Sequence, residues 1–111
     1  MNVACRDEYA RLLKGSEADV RALIGSLVRD PQVREDIFQE TALACWEAFD
    51  RYDRSRSFAA WARGVAAKKV LQELHKTGRR PSVLSPESVQ AVLDAFDRTA
   101  ERASLRLEAL R

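Results

Sequence analysis

The sequence predicts an all-helical protein, and three observations predict it. Of its 111 residues only 4 are Gly and 3 are Pro, so helix breakers are scarce. Ala, Leu, Glu and Arg, all good helix formers, dominate the composition. Apolar residues recur at spacings of three and four, and no stretch alternates apolar with polar for more than a few residues, as a half-buried strand would. An apolar share of 46% beside 32% charged residues suits one globular domain with one core, and excludes a disordered chain.

Four helical segments are legible. The first is predicted from Arg6 to Arg29, with Leu12, Leu13, Val20, Leu23, Ile24, Leu27 and Val28 on its apolar stripe. A break is expected near Gly15, because Ser16 and Asp19 have capping-box spacing. The second opens at Asp30-Pro31, an N-cap followed by Pro at the first helical position, and is predicted to reach Tyr52. The third takes Ser57 as its N-cap and runs to Lys76, with Gly78 as its stop. Residues 78–86, GRRPSVLSP, read as a linker. Ser85-Pro86 then starts a fourth helix that continues to the chain end. In it Val89, Leu93, Phe96, Ala100, Ala103, Leu107 and Leu110 alternate spacings of four and three, which is a heptad seam. That seam fits a coiled coil, packing on the first three helices, or a larger domain cut short, and the uncapped end favours truncation.

The net charge of +2 hides a strong segregation. Residues 30–50 hold six acids against Arg34 alone, a net of −5. Residues 51–80 hold nine bases against Asp53 and Glu73, a net of +7. Neighbouring segments of opposite sign point to two partners, one basic and one anionic, or to two solvated faces.

Turning the second helix by about 100° per residue separates its two sides. Ile37, Phe38, Thr41, Cys45, Ala48, Phe49 and Tyr52 form the core side. Asp36, Gln39, Glu40, Leu43 and Glu47 lie opposite, with Trp46 at the edge. Apolar anchors ringed by acids suit a basic protein partner, and the same pattern is also that of a polar face with one exposed Leu. The segment from Asp50 to Ser57 mixes Arg51, Arg54 and Arg56 with Tyr52 and Ser55. Arg contacts phosphate and aromatic rings stack on unpaired bases, so this loop suits single-stranded nucleic acid. Arg63, Lys68, Lys69 and Lys76 on the third helix, and Arg79 and Arg80 just beyond it, suit phosphate contacts. Phe58 and Trp61 are expected in the core.

Enzyme chemistry has little to work with. His75 is the only histidine, and the glycines are scattered rather than gathered into a phosphate loop. Asp36 and Glu40, one turn apart, are spaced to share a cation, but two carboxylates on an exposed helix are weak grounds for a metal site, so no metal, cofactor or catalytic residue is assigned. Cys5 and Cys45 have no CxxC spacing and read as reduced thiols, one of them buried. The start, MNVACRDEYARLLK, carries acids early and has no apolar h-region, and no run approaches the roughly 18 apolar residues of a membrane span. A cytoplasmic protein without membrane insertion is expected.

Taken together, Asp30-Pro31, Glu35-Asp36-Ile37-Phe38-Gln39-Glu40-Thr41, Trp46, Phe49, Tyr52-Asp53, Phe58 and Trp61 resemble region 2 of the extracytoplasmic-function (ECF) sigma factors of bacterial RNA polymerase. The resemblance covers about residues 8–77. It implies a compact helical bundle of sigma region 2 type over 1–77, a linker over 78–86, and over 87–111 a helix leading into a truncated region 4. It implies a non-enzymatic transcription initiation factor. Asp36, Gln39 and Glu40, with Leu43 and Glu47 beside them, would dock on the clamp helices of the polymerase β′ subunit. The loop between helices two and three would capture a flipped base of the −10 element on the non-template strand, and the basic third helix would face that DNA. An anti-sigma factor or other regulator would be a further partner. The family commonly has I-A-x-N, an Asp four residues later and an Arg pair; here stand Val65-Ala66-Ala67-Lys68, Gln72 and His75-Lys76. From the residues alone, the competing readings are a helical protein-interaction adaptor that never touches DNA, and a divalent-metal enzyme built on Asp36 and Glu40.

Overall fold

The structure is a computed structural model that describes residues 3–77 and 85–110. In chain order the helices are α1 (Val3–Leu27), α2 (Pro31–Glu47), a 3-10 turn (Phe49–Arg51), α3 (Phe58–Thr77) and α4 (Pro86–Ala109). No strand occurs among the described residues. Helices α1, α2 and α3 pack on one another, and α4 lies across α1 and α3.

Helix α1 runs without a break through Gly15, contrary to the capping-box reading. Ser16 is buried, and its hydroxyl donates back to the Leu12 and Leu13 carbonyls at 2.9 and 3.3 Å. A serine turned toward the preceding turn cannot cap the next one, which is why the spacing misled. The helix stops at Leu27, before the restriction that Pro31 places on Asp30. Arg34 reaches back from α2 to donate to the carbonyls of Val28 and Gly25, so carbonyls orphaned at the end of α1 find a partner.

Helix α2 starts as the sequence indicates. Asp30 is its N-cap, accepting from the Gln32 backbone N–H at 2.9 Å, with Pro31 in the first turn. It ends at Glu47 rather than Tyr52, tightening into the 3-10 turn that places Phe49 fully in the core. Ser57 caps α3 by accepting from the Ala60 N–H at 3.2 Å, and Ser85 caps α4 by accepting from the Ser88 N–H at 3.1 Å. The expected stop at Gly78 and most of the expected linker lie outside the described residues.

The core joins Tyr9, Val20, Leu23, Ile24 and Leu27 of α1 to Ile37, Phe38 and Cys45 of α2, to Phe49, and to Phe58, Ala62, Ala66, Ala67 and Val70 of α3. At its end nearest the α2–α3 loop the core is aromatic. Tyr9 meets Trp46, Phe49 and Phe58 with ring centroids 5.2, 5.2 and 5.9 Å apart. The Tyr9 hydroxyl donates to the Ala42 carbonyl, so the ring is apolar packing with its polar end satisfied.

Helix α4 contributes Val89 to this core, and Val92, Leu93 and Phe96 pack partly buried against it. A polar tie accompanies them. Arg63 of α3, 2% exposed, donates to Asp19 of α1, and to Asp97 of α4 through Nε and Nη2 at 3.1 and 2.9 Å. From Arg98 to Leu110 every residue of α4 is exposed. Of the three readings of the heptad seam, packing on the other helices holds for its first half.

Replacing Phe49 with Ala is expected to lower stability by about 3–5 kcal/mol, measured by urea denaturation. Burial pushes the Cys45 thiol from its ordinary value of 9.0 to about 11 and raises the Tyr9 phenol as well. Both groups hold their protons more tightly folded than unfolded. The Cys45 contribution is therefore complete below about pH 9 and is lost as pH rises through about 11, whereas the Tyr9 contribution is lost only at higher pH. Urea midpoints measured from pH 8 to 11 should fall over that window, and a Cys45→Ala variant should fall less steeply.

Candidate functional site: an acidic helix face and an arginine loop

The five α2 residues assigned to a basic partner, Asp36, Gln39, Glu40, Leu43 and Glu47, are all exposed. Leu43 is 57% exposed, in the middle of the acids. The face exists because the opposite side of the same helix carries Ile37, Phe38, Thr41 and Cys45 into the core. Its charges are not all equally available. Glu35, beside the face, is taken by Arg21 of α1 at 2.7 Å, and that hydrogen bond, with a second from Gln39 at 3.1 Å, holds its carboxyl below the usual range. Arg21 is fixed in turn by Glu17 at 3.1 Å and by lying 3.9 Å from the centroid of the Phe38 ring. Asp36 accepts from Gln32 at 3.1 Å, and Asp36, Glu40 and Glu47 form no ion pair among the described residues. The sequence reading missed Arg21, whose role depends on α1 and α2 lying side by side. Trp46 is half-buried on Tyr9 and belongs to the core edge.

The loop between α2 and α3 is built on the aromatic cluster. Tyr52 stacks on Trp61 at 5.0 Å with 23° between planes, and on Phe49 at 5.9 Å with 14°. The Phe58 ring meets the Tyr52 ring edge-on at 5.5 Å, and the Tyr52 hydroxyl donates to the Arg56 carbonyl. Phe58 is buried and Trp61 half-buried, so both pack as expected, and Tyr52 is engaged in shaping the loop. Asp53 accepts from the Ser55 hydroxyl at 2.7 Å and the Ser55 N–H at 2.9 Å, an Asx turn that keeps its carboxyl below the usual range. Arg54 pairs with Glu8 of α1 at 2.8 Å while its guanidinium lies 4.7 Å from the Phe49 centroid. Arg51, Ser55 and Arg56 are exposed, and neither Arg51 nor Arg56 forms an ion pair among the described residues.

On α3, Lys68 and Lys76 are exposed and Lys69 is half-buried. Arg79 and Arg80 lie outside the described residues. Arg63 departs from the expectation: it is buried, its guanidinium is occupied by Asp19 and Asp97, and it offers nothing to an external phosphate in this arrangement. The reason is angular. Lys68 lies five positions further along the helix, which at about 100° per residue places the two about 140° apart around it. Arg63 shares its stripe with Ala59, Ala66, Ala67 and Val70, the core stripe of α3.

Among the described residues no group of three or more His, Cys, Asp or Glu is placed to hold a metal ion. None of the described helices is long and apolar enough to cross a membrane.

Residues 12–80 match the family described as sigma-70 region 2. Over 60 residues the chain is 40% identical to a protein named ECF RNA polymerase sigma factor SigD in Mycobacterium tuberculosis, and to its namesake in Mycobacterium bovis. The matched stretch is 53% of this chain and 28% of each relative, so the match takes in little more than a quarter of the relatives' length. No solved structure matches.

Replacing Asp19 and Asp97 together with Ala is expected to cost about 3–5 kcal/mol, because a buried guanidinium then has no counter-charge. Arg63→Met should cost much less, since both carboxylates are already about two-fifths exposed and go to water. Chemical denaturation of the two variants checks the asymmetry.

Proposed function

The chain belongs to the sigma-70 region 2 family, and from that premise we propose that it is the polymerase-docking and promoter-opening part of a sigma factor for transcription initiation. The observation that carries the proposal is the pairing of two exposed surfaces of opposite sign on one rigid core. The face of Asp36, Gln39, Glu40, Leu43 and Glu47 docks on a basic partner, the β′ clamp helices of core RNA polymerase. Acids that form no ion pair among the described residues, set around an exposed Leu, supply both electrostatic orientation and an apolar anchor for that contact.

The loop carrying Arg51, Tyr52, Arg54, Ser55 and Arg56, with Lys68, Lys69 and Lys76 on α3, receives the non-template strand of the −10 element. Arg63 is left out of this set because its guanidinium is spent inside the protein. Separating the strands costs stacking energy of about 1.4 kcal/mol per step. A loop that captures one extruded base offsets part of that cost, and only for the base that fits. The lysines and arginines add contacts to phosphate that give affinity without sequence information and weaken as salt rises. The chain does no chemistry of its own: its part is binding and strand separation. It acts in the cytoplasm, where polymerase and promoter are, and a regulator such as an anti-sigma factor controls its access to them.

Core polymerase immobilised on beads tests the docking face. The wild-type chain should be retained, and Asp36→Arg should reduce its affinity at least about tenfold, equivalent to 1.4 kcal/mol. Arg54→Glu and Arg56→Glu should leave retention unchanged while weakening binding of a −10 non-template oligonucleotide to the polymerase complex. Failure of the wild type to bind polymerase at low salt would overturn the reading. Equal losses in both assays for both sets of variants would overturn the separation into two faces.

A further inference from the structure

Helix α4 is attached to the molecule differently from the other three helices. Among the described residues, Val89 is its single member of the fifteen buried apolar side chains, and its next three apolar contacts, Val92, Leu93 and Phe96, are only partly buried. Beyond Asp97 nothing in it is covered. By contrast α1, α2 and α3 cannot separate without wetting Leu23, Ile24, Ile37 and Phe49, each at most 1% exposed. Opening free energy follows the apolar area that becomes hydrated, so α4 comes away at far lower cost than the bundle comes apart.

A buried charge would ordinarily forbid such an opening, because removing one partner leaves the other unpaired in a dry site. Here the charge is served twice. Arg63 donates Nη1 to Asp19, which stays with the bundle, and Nε and Nη2 to Asp97, which leaves with α4. When α4 departs, Arg63 keeps one carboxylate and gains water on the vacated side. Asp97, whose side chain is already 44% exposed, returns to solvent at little cost.

We propose that α4 is a detachable clasp on the α1/α3 face, docking and undocking while α1–α3 stay folded, with Arg63 as a latch that has an acidic partner in both states. Docked, α4 uses only the first half of its apolar seam. Undocked, it also exposes Val89, Leu93 and Phe96, which lie in line with Ala100, Ala103, Leu107 and Leu110. The clasp stands apart from the polymerase and promoter contacts proposed above and does not depend on them.

Hydrogen–deuterium exchange of the full chain tests it. In the wild type, amides of residues 90–97 should exchange at least about tenfold faster than the slowest amides of α1 and α3, the signature of an opening smaller than global unfolding. Asp97→Asn should speed α4 exchange further and leave α1–α3 unchanged. Asp19→Asn should narrow the gap, because undocking would then strand the guanidinium. Exchange of α4 at the same rate as the slowest core amides would overturn the clasp. So would an Asp97→Asn variant in which all four helices accelerate together.

Discussion

The aromatic cluster around Tyr9 is the constraint on which the two surfaces depend. One ring of α1 contacts Trp46 of α2, Phe49 of the 3-10 turn and Phe58 of α3, and its hydroxyl fixes the α2 backbone at Ala42. Tyr52 and Trp61 extend the cluster outward to the loop. The acidic face is exposed because Ile37, Phe38, Thr41 and Cys45 anchor α2 on the other side. The arginines are presented because Phe49, Tyr52 and Phe58 anchor the chain between and beside them. Aromatic side chains suit this role because they bury much area with few rotatable bonds and contact several neighbours at fixed angles.

Three of the four helix starts are legible in the sequence. Asp30-Pro31, Ser57 and Ser85-Pro86 each start a helix in the structure, because a side-chain acceptor and a missing N–H act locally. The exposed set on α2 follows directly from the 3.6-residue repeat. Ser16 shows the limit of the same logic: capping-box spacing means nothing when the hydroxyl is turned back to Leu12 inside a continuous helix. Likewise α2 ends at Glu47, short of the Tyr52 that the apolar repeat indicates, since the change to a 3-10 turn depends on where Phe49 must go in the core.

Arg63 shows how charge counting and periodicity can disagree. Grouped with the other bases of residues 51–80, it reads as a phosphate contact. Placed on the stripe of Ala59, Ala66, Ala67 and Val70, it reads as a core position. The second reading needs counter-charges to be tenable, and those come from Asp19 and Asp97, 44 and 34 residues away in the chain. Arg21 with Glu35, and Arg54 with Glu8, are equally non-local. Ion pairs between helices depend on packing, so a linear pattern does not disclose them.

The pairing of Arg54 with Glu8 has a consequence for ionic strength. Under the proposed function, a phosphate that approaches Arg54 competes with the Glu8 carboxylate for the guanidinium charge. Mobile ions weaken both attractions, and an ion pair at the surface is readily screened. For Arg54 the two effects oppose each other, whereas Arg51 and Arg56 have no such rival among the described residues. The loop thus combines one cation whose electrostatic contribution is buffered against salt with two whose contribution is not.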